Sequence, residues 1–481
     1  MAFPFPIQKA DLKYYPHFDA PISLSNIQTL VTDPVAVAQR KFYPFLMFEE
    51  EWQPYRSKSD GKPEKKTRPI RYGARGDAYI FSYYRHLLSE KYENRLIELG
   101  IEHCPIAYRK IPNAAQTGGK CNIDFAKDAV DKILEFGDCV TIAMDVKSFF
   151  ESLDHKRIKA LWKSLLDCNE LPEDHYAVFK NITKYRYVDQ KQLLRRLEYL
   201  RKTSAGKKSF EKLTIPFKKI PKQICSPSDF REKVCGSGGK YKSLIQYNDK
   251  DHGVPQGAPL SDLLANIYMM DFDLALNQYA KKLGGVYVRY SDDILIIVPG
   301  DEKITNQAIN FAIKEITKYG KEIKIKDAKT CISKFEKVGE RLKFTHIGGP
   351  QGKNGFEYLG FRFDGKNVYL RDSTVSRLYR KATAVARATA AIHVTSHPEK
   401  STSQLVDSYD YSLFLRKFSR ALKKEFSDDH KSWTFYTYAK RASRMFGAKG
   451  EPILKQINGF KEKMNDRVGK FILEKKAKIE I

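Results

Sequence analysis

A chain of 481 residues with 85 Lys and Arg against 58 Asp and Glu carries a formal net charge of +27, and 42% hydrophobic content with 12% aromatics suffices for packed cores. A mean hydropathy of −0.51 with 30% charged residues excludes a membrane-spanning protein and a low-complexity chain, and a pI near 9.5 points to polyanions, nucleic acid first. Seven cysteines without any C-x-x-C pair, and an N-terminus without a basic stretch leading into an apolar one, fit reduced thiols and a cytoplasmic location better than a disulfide framework or a secreted chain.

Residues 1–60 mix Pro, aromatic and acidic residues and read as an N-terminal extension, after which Lys62 to Arg71 turns sharply basic. Helical spacing predicts helices over Tyr79 to Leu99, stopped by Gly100, over Asp124 to Phe136, and over Asp154 to Leu166. Between the last two, Gly137 to Met144 reads as a turn and a short buried strand running into Asp145. Asn181 to Lys250 holds 18 Lys and Arg against 6 Asp and Glu, with a Gly236-Ser-Gly-Gly239 knot, and reads as a solvent-facing basic insertion or an RNA-contacting arm. Pro259 to Tyr279 predicts one helix with Pro near its start. Val286 to Tyr290 and Ile294 to Val298, separated by Ser291-Asp-Asp293, predict a hairpin. A helix over Asn306 to Lys318, a lysine-rich strand at Glu322 to Ile325, and a hairpin of Phe356 to Phe363 with Asn367 to Leu370 follow. From Arg371 on the pattern is helical, with 24 Lys and Arg against 12 Asp and Glu.

Three carboxylates stand out by position. Asp145 ends an apolar strand, and Asp292 with Asp293 sits at a hairpin tip, where a polar group is held rigidly at the rim of a core. Adjacent acids in an apolar hairpin repel unless a cation lies between them, and hard oxygen ligands select Mg²⁺. Two such ions support phosphoryl transfer. Solvated turn chemistry is the alternative for an Asp-Asp pair alone. His393 and His397 have i, i+4 spacing but no accompanying Glu, and Asp428-Asp429 precedes no apolar strand, so neither pair reads as a metal site.

Five ordered blocks resemble those of reverse transcriptases. Thr141-Ile-Ala-Met-Asp-Val-Lys-Ser-Phe-Phe-Glu-Ser-Leu-Asp-His155 is similar to the first palm block, and Gly253-Val-Pro-Gln-Gly-Ala-Pro-Leu-Ser-Asp-Leu-Leu-Ala-Asn-Ile-Tyr268 to the second. Tyr290-Ser-Asp-Asp293 is similar to the third, with Ser where many relatives carry Ala; Ile325 to Thr330 and Glu357-Tyr-Leu-Gly-Phe361 resemble the fourth and fifth. The resemblance implies an α+β right-hand polymerase fold: fingers over 61–140, an antiparallel palm with helices over 141–370 carrying the 181–250 insertion, and a helical thumb or C-terminal region over 371–481. It implies an RNA-directed DNA polymerase in which Asp145, Asp292 and Asp293, with the Val146 carbonyl, hold two Mg²⁺ ions, Mn²⁺ substituting. Phe150 matches the steric gate that favours dNTPs over rNTPs, with core packing beside Phe149 as the alternative. Gln256 and Gly257 would shape the nucleotide pocket, and Arg68 would grip the triphosphate, with Lys66 and Arg71 sharing that work or merely solvated. Lys329 would protonate the leaving pyrophosphate unless it is an ordinary surface lysine. Tyr358, Leu359 and Gly360 would form the primer grip, for which a plain hairpin core is the alternative.

The type is narrowed by departures. The region after Leu370 holds no cysteine for a metal-binding nuclease of the group II intron kind, and the retron strings are matched only in part, by Asn113-Ala-Ala-Gln-Thr117 and Val394-Thr-Ser396. The chain is most similar to bacterial defence-associated and abortive-infection reverse transcriptases, which implies an RNA template, often a structured non-coding RNA, dNTP substrates, a DNA product, a role against phage and no membrane. A retron or intron-like enzyme and an RNA-binding scaffold of polymerase shape are the alternatives. Self-association and priming stay open, with Tyr409, Tyr411, Tyr436 and Tyr438 as candidate protein primers.

Overall fold

The computed structural model describes residues 7–52, 66–113, 116, 118–205, 208–350, 352–411, 418 and 434–480. Asp428, Asp429, Ala114, Ala115 and Thr117 lie outside them. The architecture is α+β, with largely antiparallel sheets, packed helices and a helical C-terminal region.

The N-terminal sheet is formed by β1 (Phe45–Trp52), β2 (Lys66–Tyr72), β4 (Arg186–Asp189) and β7 (Gln246–Tyr247), in the order β2-β1-β4-β7. β1 pairs antiparallel with β2 and parallel with β4, so segments well over a hundred residues apart share one sheet. The central sheet has the order β11-β10-β3-β9-β8, from β3 (Cys139–Asp145), β8 (Val286–Tyr290), β9 (Asp293–Pro299), β10 (Cys331–Val338) and β11 (Arg341–Gly348). β9 is apolar at every position from Ile294 to Val298 because helices and strands cover both of its faces. Ile294, Ile296 and Val298 enter the larger core with the helix Arg75–Glu98, whereas Leu295 and Ile297 enter a second core with Asn122–Phe136 and the C-terminal helices.

Four sequence expectations change. The helix expected over Pro259 to Tyr279 is two, Ser261–Tyr268 and Met270–Lys282, because Met269 leaves helical geometry at φ −90°, ψ 1° and joins them as a cap. The expected strand at Glu322 to Ile325 reduces to a single bridge, Ile325 to Val146. The expected strand Phe356 to Phe363 folds back on itself as β12 (Phe356–Tyr358) and β13 (Phe361–Phe363), joined to β14 (Val368–Leu370) in a three-stranded sheet. Finally, the basic stretch 181–250 is packed rather than wholly solvent-facing: its ends supply β4 and β7, and Val188, Leu193, Ile220, Ile224 and Val234 build a third core with Phe18 and Leu46. Its free portion is the hairpin of β5 (Leu200–Ala205) and β6 (Lys208–Leu213).

Candidate active site

The central sheet brings the three carboxylates together through register alone. Asp145 is the last residue of β3 and stands directly opposite Asp293, the first of β9. Tyr290 closes the other side of the hairpin against Asp293, leaving Ser291 and Asp292 as a two-residue turn. Ser291 has φ 59°, the positive value that the first central position of a II′ hairpin turn demands. The buried Val146 donates its amide to the Asp292 carbonyl at 3.0 Å, fastening the strand end to the turn. On the other side, Lys147 donates to the Lys324 carbonyl and Lys326 to the Asp145 carbonyl, each at 2.8 Å, so the segment expected as a strand clamps the end of β3.

These carboxylates are electrostatically frustrated. Desolvation, then the charges of Asp292 and Asp145, push Asp293 up to about 7, against the opposing pull of Arg371 and Lys329. Asp293 is nonetheless accessible at the mouth of a cleft of about 180 Å³, so the shift reflects surrounding protein rather than enclosure in a core. Asp145 relieves its own charge on Lys326 and, at 3.6 Å, on Lys329. Among the described residues no group of three or more His, Cys, Asp or Glu is already closed around one point. The donors nonetheless fit a hard divalent cation: three carboxylates converge at one end of the sheet, and one of them is already drawing in positive charge.

The same cleft is lined by Lys329, Tyr358, Leu359 and Arg371. Lys329 ends a short 3₁₀ turn, Asp327–Lys329, that directs it onto Asp145. Tyr358 and Phe361 pair across a tight turn in which Leu359 and Gly360 both have positive φ, 44° and 93°, as an I′ turn requires. Holding Leu there costs of order 1 kcal/mol and is supported from outside the hairpin. The Leu359 carbonyl accepts from Asn122 Nδ2 at 3.1 Å, and the Gly360 carbonyl accepts from the Arg371 amide at 2.9 Å. Tyr358 is buried with its hydroxyl unpartnered, and burial followed by the Asp293 charge pushes that hydroxyl far up.

Phe150 and Phe149 separate cleanly. Phe149 is in the core, whereas Phe150 is half-buried on a 3₁₀ turn, its ring 6.5 Å from that of Tyr108. The Tyr108 hydroxyl in turn meets Ser291 Oγ at 3.1 Å, linking Phe150 to the Asp-Asp turn. Arg68 is exposed on β2, and its charge reaches Tyr108, so it faces the same region. Arg71 does not share that work. It lies on the opposite face of β2, buried and stacked 5.2 and 5.0 Å from the rings of Tyr185 and Tyr187. The Lys66 side chain lies outside the described residues. Gln256 is tied to β2 by its carbonyl, which accepts from the Arg71 amide at 2.8 Å. Gly257, at φ 112°, passes so close that a Cβ would sit 2.8 Å from the Arg71 carbonyl oxygen. Its close backbone approach is to β2, which fixes the second block against the strand that carries Arg68.

Sequence reasoning missed the cradle under the Asp-Asp turn. Arg289, fully buried, donates from Nε and Nη2 to the two carboxylate oxygens of Asp273, each at 2.7 Å, and from Nη1 to the Ser291 carbonyl at 2.9 Å and Asn266 Oδ1 at 3.2 Å. The Tyr287 hydroxyl adds a third bond to Asp273, at 2.6 Å. The signal was an arginine at an inward position of an apolar strand, which requires a buried acid. The remaining candidates are occupied elsewhere. His393 faces the Leu405 carbonyl at 3.0 Å and His397 the His393 carbonyl at 3.1 Å. Tyr409 is buried against Thr389, and Tyr438 accepts from Asn122 behind the Leu359 turn; burial pushes the first hydroxyl up and the second up to about 12. Tyr411 and Tyr436 are half-buried.

Residues 219–363 match the family model described as reverse transcriptase (RNA-dependent DNA polymerase). That segment contains Gln256, Asp292, Asp293, Lys329 and Tyr358 and leaves Arg68, Asp145 and Phe150 outside it. The Retron Ec86 reverse transcriptase of Escherichia coli is 38% identical over 93 residues, which cover 19% of this chain and a quarter of that relative's length. Telomerase from Candida albicans in complex with a TWJ fragment of telomeric RNA overlaps 91% of this chain and 64% of its own at 13% identity and a TM-score of 0.37. Apo telomerase from Candida tropicalis, truncated from its C-terminal domain, overlaps 68% of this chain and 55% of its own at 13% identity and a TM-score of 0.35. The structural scores are too low to carry an inference. Residues 219–363, which hold the hairpin-tip aspartates and the cleft-lining lysine and tyrosine, are thus the part of this chain that is similar to reverse transcriptases.

Proposed function

We propose that this protein is an RNA-directed DNA polymerase that copies a dedicated structured RNA into DNA in bacterial antiphage defence, with fingers over 61–140, a palm over 141–370 and a thumb from 371. The observation that carries the polymerase reading is the register that sets Asp145 opposite Asp293 with Asp292 one residue away. In the reaction the 3′-oxygen of a primer attacks the α-phosphorus of a dNTP, and the bond to the β-phosphate oxygen breaks to release pyrophosphate. The chemistry supplied by two bound Mg²⁺ ions, or Mn²⁺ in their place, is activation of that 3′-hydroxyl and neutralisation of the leaving group.

This chain's residues do the rest. Asp145, Asp292 and Asp293, with the Val146 carbonyl, would hold the ions. Lys329, beside Asp145 in the cleft, is placed to give a proton to pyrophosphate. Arg68 faces the site from β2 as the triphosphate's partner, and Gln256 and Gly257 form the pocket wall that β2 fixes. Phe150 excludes a 2′-hydroxyl, and Leu359 and Gly360 present a rigid turn to the primer strand. Purified protein with its bound RNA is expected to incorporate dNTPs only with a divalent cation, and Asp292→Ala with Asp293→Ala to lower incorporation at least about 10³-fold, since the ions contribute several kcal/mol. Unchanged incorporation in that variant would sink the assignment. A retron-type enzyme is the second reading, favoured by the 38% identity to the Escherichia coli retron protein. Sequencing the nucleic acid that copurifies separates the two.

A further inference from the structure

We propose that one face of the β5–β6 hairpin, continuing into the cavity at its root, is a binding surface for single-stranded RNA, separate from the template site. Register defines the face. Leu200 pairs with Leu213 at the base and both lean on the third core, so the residues of that side, including Lys202 and Glu211, look back towards the body. The opposite side carries Arg201 across from Lys212 and Thr203 across from Phe210. All four are exposed, Phe210 by 46%. Phe210, set among basic and hydroxyl side chains on this face, leaves nearly half of its surface open to solvent. It offers a flat ring for a base, with cations beside it for the backbone.

The charges on that face favour a polyanion. The hairpin's one acid, Glu211, is on the other side and bound to Arg195. The pairing continues below the hairpin, where the Thr214 amide donates to the Tyr199 carbonyl at 3.0 Å and Tyr199 packs against the third core. Tyr199 lines a cavity of about 590 Å³ together with Tyr241, Arg196 and Lys233. Arg196 is stacked 5.1 Å from the Tyr241 ring, and its Nη1 donates to the Lys233 carbonyl at 2.8 Å, so one wall is rigid. The two acids at the cavity, Glu198 and Asp229, already pair with Arg201 at 3.0 Å and Lys233 at 2.7 Å. Exposed ion pairs of this kind contribute little and exchange readily for a phosphate. The surrounding stretch 181–250 holds 18 Lys and Arg against 6 Asp and Glu, which makes an acidic strand the complementary partner. RNA, as the class of strand, rests on the template-copying reading.

The test is fluorescence anisotropy of the full chain with a fluorescein-labelled oligouridylate across a salt series. Phe210→Ala is expected to weaken binding roughly 5- to 150-fold, the range for loss of one stacked base, with the salt slope unchanged. Phe210→Trp keeps the ring and is expected to retain affinity. Arg201→Ala with Lys212→Ala is expected to flatten the slope of log K against log salt by roughly 1.4, at about 0.7 per single-strand phosphate. Because these side chains are exposed, all three variants should melt with the parent. Unchanged affinity in Phe210→Ala, or failure of Phe210→Trp to retain it, overturns the stacking surface. Unchanged affinity in all three assigns the face to a protein partner. The readout needs no chemistry: Phe210-dependent binding without dNTP incorporation would leave this surface standing and the polymerase reading fallen, and the reverse result would do the opposite.

Discussion

Asp293 pays for its position. A carboxyl raised from about 3.8 to about 7 by desolvation and by its two acidic neighbours binds a proton in the folded chain that the unfolded chain releases. The folded state therefore loses stability as pH climbs from about 4 to about 7, and the loss levels off above. Asp293→Asn is expected to raise the melting temperature of metal-free protein at pH 8 and to leave it unchanged near pH 4. Millimolar Mg²⁺ should raise the parent's melting temperature at pH 8 and do less for the variant. A pH-independent difference in melting would assign the effect to packing. Phe150 makes a different kind of claim, since its ring is half-buried against Tyr108 while Phe149 takes the core position. Phe150→Ala should lower discrimination against rNTPs at least about tenfold with dNTP turnover largely retained, measured as a ratio of kcat/KM values. Unaltered discrimination would return Phe150 to simple packing. Which of the two adjacent rings faces out was not readable from the sequence, because both suit a strand-to-helix turn. The bond from the Val254 amide to the Phe150 carbonyl at 2.8 Å and the positive φ of Ser148 set the turn that decided it.

At the scale of elements, the β8–β9 hairpin is the part on which the site depends, and Arg289 is its keystone. Its fork ties the Ser291 carbonyl to Asp273 on the helix Met270–Lys282, so the turn cannot shift without breaking buried charge-assisted bonds. Arg289→Lys retains charge and loses the fork. The variant is expected to melt lower, with a stability loss smaller than the roughly 3–5 kcal/mol seen when one partner of a buried pair is removed outright. It should also need more Mg²⁺ for half-maximal dNTP incorporation at temperatures where circular dichroism shows it folded. An unchanged Mg²⁺ dependence would mean that Arg289 serves stability alone. The hairpin itself was legible in the sequence, from two β-rich runs around Ser291-Asp-Asp293, and so were the helices expected over Tyr79 to Leu99 and Asp124 to Phe136, which run over Arg75–Glu98 and Asn122–Phe136. The Leu359-Gly360 turn was not, since only Gly360 hints at it and a leucine at positive φ is allowed there by Asn122, 237 residues away in the chain. Nor was the break at Met269, whose neighbours are good helix formers on both sides.

For the molecule as a whole, charge and fold divide differently from a simple palm with an appended arm. Most of the excess of +27 lies in 181–250 and after Leu370, yet the first of these regions also closes the N-terminal sheet and supplies a core. The β5–β6 hairpin rests on that core through Leu200 and Leu213 at its base. Order and spacing of the five blocks could be read directly, because each is a run of adjacent residues. So could the basic excess, because charge is additive and needs no geometry. Tertiary structure alone decided that Asp145 faces Asp293, that Arg71 turns away from Arg68, that Lys326 and Lys329 converge on Asp145, and that Arg289 lies beneath the turn. Each of these depends on strand register or on pairing between distant segments, and a one-residue slip in register would send every side chain to the other face.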